Sequence, residues 1–280
     1  MANFGNEITD PNHNQRVLYF APHPDDEVWA GGTIYKCIKN GCNVDVLLLT
    51  HGSAGYGRLN QKNRIEDTRL REMKESQKVL GFNMLNFHDY LSAIGSSPEK
   101  ASCIDGSIDE RNSDLEKGII KAVRDIKPTT VLIPYDNDTH RDHRNTHEAV
   151  LNAVWRSERP SRQELGEPHR VPRVFQYEIT NLMNGPTHLI DITGEPWKKV
   201  KEALTCHKSQ VEKDLGYNLI LSTRTLVRGL GISEPTNINK VMSERIEDSK
   251  DADKILASYV LNPNAKRAEA LKATELRKFW

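Results

Sequence analysis

Residues 16–21 read Arg-Val-Leu-Tyr-Phe-Ala, a short apolar run with β-branched and aromatic members that suits a buried parallel strand. A helix is predicted over 28–40, with Gly41 placed as its C-terminal stop, and 43–49 (Asn-Val-Asp-Val-Leu-Leu-Leu) reads as a second strand. Strand, helix and strand in so short a span form a βαβ unit, and that unit commits the chain to a parallel sheet.

The alternation continues. A glycine-rich loop at 50–63 precedes a charged amphipathic helix at 64–80, which Gly81 ends. A short strand is expected at 84–87, then a loop through 88–112. Ser113 can cap a helix that runs to 127, where Pro128 blocks continuation, and 129–134 reads as another strand. Further expectations are a helix at 144–157, a surface loop at 158–172, strands at 174–179 and 188–192, and a helix at 196–215. The rest of the chain reads mainly as helix. No repeat, low-complexity tract or domain boundary interrupts it. The expected fold is therefore α/β and Rossmann-like: a mostly parallel sheet with helices on both faces. One domain is expected over 1–280, with a C-terminal helical extension from about 233 to 280.

Composition removes several function classes. Lys plus Arg and Asp plus Glu each number 39, so there is no net charge to drive binding to nucleic acid or an acidic membrane. No apolar run approaches the roughly 20 residues needed to span a bilayer. The polar start, MANFGNEITDPNHNQ, lacks the basic and apolar regions of a signal peptide. Cys37, Cys42, Cys103 and Cys206 show no ligand-like spacing and read as reduced thiols. A cytoplasmic protein without nucleic-acid or membrane partners is expected.

Two strands end in dense polar clusters, where open parallel sheets bind their ligands. The first is His23-Pro-Asp-Asp-Glu27 and the second His140-Arg-Asp-His143. Neither is a nucleotide cradle: Gly31-Gly32 stands alone, without GxGxxG or GxxxxGK[ST]. A catalytic zinc site takes three protein ligands from His and carboxylate and keeps one position open. One histidine and one aspartate of the first cluster plus one histidine of the second meet that count, leaving an aspartate as general base toward water. The competing reading is a polar turn whose Asp caps the following helix. His147, four residues after His143, ranks below His140 and His143. His169, His188 and His207 are isolated and read as surface or structural histidines.

Pro22-His-Pro-Asp-Asp-Glu27 after a strand, followed by Gly31-Gly32 and later by His140-x-Asp-His143, resembles the PIG-L/LmbE-like N-deacetylase family. Arg69-x-x-Glu72, Leu80-Gly81, Ala203-Leu-x-x-His207-x-Ser-Gln210 and Arg228-Gly229 extend the likeness over about 16–232. The resemblance implies Zn²⁺, or another divalent metal, held by His23, Asp26 and His143, with Asp25 as general base. It implies that a protonated His140 stabilises the oxyanion or acts as acid, with Asp142 orienting or charging it, and that Arg69 holds the sugar. The implied activity is hydrolysis of the N-acetyl group of a small N-acetylglucosamine-containing molecule. Another mononuclear metallohydrolase, a dinuclear phosphoesterase and a non-catalytic zinc-binding protein remain as alternatives, and a homo-oligomer is left open.

Overall fold

The computed structural model describes residues 15–57, 59–211, 221, 224, 225, 228 and 267–274. Its centre is β1 (Arg16–Ala21), flanked by β2 (Asn43–Leu48) on one side and β4 (Thr130–Pro134) on the other. Next to β2 lies the edge strand β3 (Asn83–Asn86), and next to β4 lies β5 (Arg173–Tyr177). These five strands are parallel. The sheet is completed by β7 (Ala268–Ala273), antiparallel to both β5 and the edge strand β6 (His188–Asp191), giving the order β3-β2-β1-β4-β5-β7-β6.

Alternation along β1 divides the core. Val17, Tyr19 and Ala21 face α1 (Gly31–Lys39), α2 (Ile65–Leu80) and α6 (Glu195–Cys206). Leu18 and Phe20 face α4 (Ser113–Ile126), α5 (Arg141–Ser157) and the short α3 (Phe87–Ala93). Strands buried on both faces and helices on both sides make the sheet doubly wound. The chain runs outward from β1 through β2 to β3, then crosses back to β4. The carboxyl ends of β1 and β4 therefore border the topological switch point, where such sheets form a ligand crevice.

Three expectations change. The 88–112 loop contains a helix, α3, which Asn86 caps by accepting a hydrogen bond from the His88 N–H at 3.1 Å. It is too short to show periodicity in sequence. The helix predicted at 196–215 is broken at His207 into α6 and α7 (Lys208–Val211), and 212–215 lie outside the described residues. Within the predicted C-terminal helical extension, 268–273 form β7 instead; the rest of 233–280, apart from 267 and 274, lies outside the described residues. Ala-Glu-Ala-Leu-Lys-Ala is rich in helix formers, but backbone pairing with β5 and β6 overrides that preference. Glu269 also projects to α1, accepting from the Gly32 and Thr33 N–H groups at 2.9 and 2.8 Å. A side chain at Gly32 would collide with Ile192, so the Gly31-Gly32 pair serves close packing.

Candidate active site

Both polar clusters leave the switch-point strands and converge. Beyond β1 the chain makes a tight loop into a 3-10 turn, Asp26–Ala30, and buries all of Asp25, Asp26 and Glu27. Asp25 sits at φ 114°, a left-handed conformation that non-glycine residues hold only when neighbours over-determine it. Beyond β4, His140 caps α5, its Nδ1 accepting from the Asp142 N–H at 3.2 Å, and His143 follows one turn into the helix.

Asp26 joins the two clusters. Its Oδ2 lies 3.1 Å from His23 Nδ1 and its Oδ1 lies 3.5 Å from His143 Nε2. His140 completes the group: donor atoms of His23, His140 and His143 all lie within 4.8 Å of one another. The three residues expected to hold a metal are thus brought together from positions 23, 26 and 143, and the surrounding groups whose donor atoms gather closely enough to hold an ion are His23, His140 and His143, and His23, Asp105 and Asp142.

The His143 and His23 imidazoles each have a carboxylate behind them. His143 Nδ1 is 2.9 Å from Asp138 Oδ1, and Asp138 also accepts from the Thr180 N–H and hydroxyl. His23 Nε2 is 3.0 Å from Asp142 and 3.1 Å from Asp105. Such pairs fix the ring and the tautomer, leaving the other nitrogen to serve as a ligand. Burial alone would pull the His143 pKa down, but Asp26 and Asp138 hold it up at about 9. Burial likewise works against charge on His23, and its three carboxylate neighbours outweigh it, keeping the pKa well above the usual imidazole value. Asp26 is pressed upward by burial yet held well below the ordinary carboxylate range by His143 and His23. Asp138 is opposed by burial and still held at about 2, chiefly by His143.

Asp25 differs from these acids. Burial pushes its pKa up to about 6, against the pull of Arg69 and with repulsion from Asp26. Its Oδ1 accepts from Arg69 at 3.0 Å, and the same guanidinium nitrogen donates to Pro24 O at 2.6 Å. Arg69 reaches this position from α2 because Gly52 and Gly55 leave room; a Cβ at either would strike the guanidinium. Arg69, expected to hold substrate, therefore spends hydrogen bonds on the Asp25 loop while still lining the cavity. That cavity, about 300 Å³, is bounded by Asp25, His140, Asp105, Trp29, Ile179 and Gln210 among others, a volume suited to one small ligand.

The Asp142 carboxylate accepts from the Gly106 and Ile108 N–H groups at 2.6 and 3.2 Å and lies 3.0 Å from His23 Nε2, while its backbone N–H donates to His140 Nδ1 and its charge favours the protonated His140 ring. Burial and the neighbouring His23 and His143 lower the His140 pKa, with Asp142 and Asp26 opposing them, and its Nδ1 accepts the Asp142 N–H, which leaves Nε2 as the donor of a neutral ring. His147 bonds Pro134 O and His169 bonds Pro128 O, both structural; His188 lies on β6 with its ring edge-on to Phe175. His207, by contrast, is fully buried against Glu27.

Asp105, Asp138 and Glu27 were given no role from sequence. Asp138 carried a signal, the Asp-x-His spacing of an Asx turn, since its Oδ1 accepts the His140 N–H at 2.9 Å. Asp105 carried none, because its place depends on a loop packed across the site.

A family model described as GlcNAc-PI de-N-acetylase (PIG-L) matches residues 18–154, which hold β1 through most of α5 and both clusters. The diacetylchitobiose deacetylase of Thermococcus kodakarensis is 28% identical over 221 residues, covering 75% of each chain. Among solved structures, N,N′-diacetylchitobiose deacetylase from Pyrococcus horikoshii superposes with a TM-score of 0.71 at 20% identity, covering 98% of this chain and 88% of that one. The 4-carboxy-2-hydroxymuconate hydratase GalB from Pseudomonas putida shares the fold with a TM-score of 0.64 at 19% identity, covering 95% and 98%. Both polar clusters, drawn into one cavity at the switch point, lie within the span that the family model matches, and the chain is similar to the PIG-L/LmbE-like N-deacetylases.

Proposed function

We propose that this chain is a zinc-dependent N-deacetylase that releases acetate and a free amine from a small N-acetylglucosamine-containing molecule. The observation that carries the reading is one buried carboxylate, Asp25, set beside a His/Asp donor set at the floor of a ligand-sized cavity. Two imidazoles and one carboxylate, each imidazole backed by a carboxylate, match the donor chemistry of a catalytic zinc site, with His23, Asp26 and His143 as the residues that would hold the ion. Zinc there would polarise the acetyl carbonyl and lower the pKa of water toward about 7.

The chain's own residues supply the rest. Asp25 takes a proton from the attacking water and passes it to the departing amine nitrogen. Arg69 keeps that carboxylate aimed, and a pKa raised by burial makes it a better proton acceptor than an exposed aspartate. His140, exposed in the cavity lining with its proton on Nε2, donates to the oxygen that gains charge as the carbonyl is attacked. Asp105 and Arg69 stand 3.8 Å apart on the cavity lining, an acceptor and a donor suited to sugar hydroxyls. Relatives named as deacetylases of amino-sugar compounds support this substrate class.

One observation favours a second reading. Donor atoms of His23, Asp105 and Asp142 also gather within 4.8 Å, which would suit a second metal and a dinuclear hydrolase. His23 cannot serve both groups as a neutral ring, since one nitrogen must carry the proton. The test is fluorescamine detection of new amines across a panel of N-acetyl sugars, with and without chelator, alongside metal analysis. Amine release abolished by chelator, at one zinc per chain, supports the proposal. Two metals per chain, or a zinc-loaded protein inert on the whole panel, would sink it.

A further inference from the structure

Glu27, the last residue of the first cluster, has no access to solvent and no place in the chemistry above. Its two oxygens do different jobs. Oε2 accepts the backbone N–H of Asp25 at 3.1 Å. Oε1 accepts the Ser76 hydroxyl from α2 at 2.6 Å and lies 2.6 Å from His207 Nε2. A buried carboxylate needs such partners, because uncompensated burial of charge is expensive. What matters is where the remaining oxygen goes: to the residue whose left-handed φ of 114° must be imposed from outside.

His207 is equally committed. It is fully buried at the C-terminal end of α6, and its Nδ1 has no hydrogen-bond partner among the described residues, so Glu27 is its anchor. The turn that follows is tied to the same surroundings. The Ser209 N–H and hydroxyl both donate to Glu72 of α2, at 2.8 and 2.6 Å, and Gln210 Nε2 donates to Gly55 O at 3.0 Å. Ser76 and His207, remote in sequence from both polar clusters, thus converge through Glu27 on the backbone of Asp25.

We infer that His207 is a positioning residue of the hydrolysis: with Ser76 it fixes the Glu27 carboxylate, and Glu27 fixes the peptide that aims Asp25. The inference rests on the assignment of Asp25 as proton acceptor. Misplacement of a reacting group by about 1 Å can cost 10²-fold in rate, whereas substrate contacts in the cavity would be left intact. The signature is therefore in kcat rather than KM.

The experiment uses the full-length, zinc-loaded protein with N,N′-diacetylchitobiose as probe. H207A, H207Q, S76A and D25N are compared for kcat, KM, zinc content and amide exchange in the 25–27 segment. H207A should lose about 10²-fold in kcat at nearly unchanged KM and zinc content. Its 25–27 amides should exchange faster, and H207Q, which restores an N–H toward Glu27, should recover most of the turnover. S76A, which removes one neutral hydrogen bond from the same oxygen, should lose less, and it carries the test should H207A not fold. Wild-type kcat and exchange in H207A, with D25N inactive, overturn the inference alone. So does a loss that follows zinc content, or an H207Q no better than H207A. A D25N protein with wild-type turnover overturns the Asp25 assignment and this inference with it.

Discussion

The two polar clusters reach the same cavity by opposite means. His140-Arg-Asp-His143 is shaped locally: it opens α5, His140 caps the helix, and a three-residue spacing puts His140 and His143 on one face. His23-Pro-Asp-Asp-Glu27 follows no regular spacing. Its conformation is imposed from a distance by Arg69 and Ser76 on α2, Asp142 on α5 and His207 at the end of α6. A helix end carries its own instructions, whereas a strained loop borrows them from three other segments. Damage to the second cluster should therefore be confined to the residue changed, and damage to the first should follow from substitutions far along the chain.

The largest effect expected is at Asp25. Asp25→Asn should keep zinc and lose on the order of 10²–10⁴-fold in kcat, the range for removal of a general base. Wild-type turnover in this variant would break the comparison at its centre. His23→Ala and His143→Ala should each abolish stoichiometric zinc binding, read by metal analysis after gel filtration. Next comes His140→Ala, expected to lower kcat by about 10²–10³-fold with zinc retained, as for loss of one oxyanion donor. An effect confined to KM would make His140 a substrate-holding residue instead.

A smaller effect separates the carboxylates behind the ligands. Asp138→Asn should weaken zinc affinity by about 10–100-fold, the usual effect of losing a partner behind a ligating histidine. Asp138 is held by the N–H of His140 and by Thr180, so the damage should stay at His143. Asp142→Asn should give a similar loss of affinity through His23 together with loosening of the 106–108 backbone, because Asp142 accepts from Gly106 and Ile108 as well. Competitive zinc titration checks the first effect, and amide exchange over 104–110 checks the second. Equal exchange in both variants would erase the distinction between local and distant control.

How legible each region was follows the same division. The strand ends and both motifs could be read directly, because a βαβ opening and the dipeptides around His23 and His143 are local patterns. The switch point between β1 and β4 followed from the fold class. What escaped was tertiary. Ala268–Ala273 has a helix-forming composition and becomes a strand only because β5 and β6 offer it pairing on both edges. Asp142 was expected to serve its sequence neighbour His140, but its reach to His23 could not be read, because an acid in the first turn of a helix meets whatever packs across it. His207 looked isolated because the residue that explains it, Glu27, lies 180 positions earlier.

The smallest effect concerns a histidine outside the site, and it sharpens the contrast between rings with and without a bonded carboxylate. His88 lies tilted against His51 at 4.0 Å between ring centroids, and its Nε2 is buried without a hydrogen-bond partner among the described residues. Burial first, and His51 second, lower its pKa to about 4. His143, with carboxylates on both nitrogens, goes the other way, to about 9. For His88 the unfolded chain takes up the proton near pH 6.5 while the folded chain resists until about 4. Between those values the unfolded state binds more protons, so stability falls as pH falls through that window and levels off below it. Replacing His88 by Gln should flatten this part of the curve, measured by urea denaturation from pH 7 to pH 4. Zinc-free protein suits the measurement, so that proton competition at His23 and His143 does not enter through the metal. If the wild-type and His88→Gln curves ran parallel across the window, the His88 ring would already be charged in the folded chain, and burial alone would not separate His88 from the site histidines.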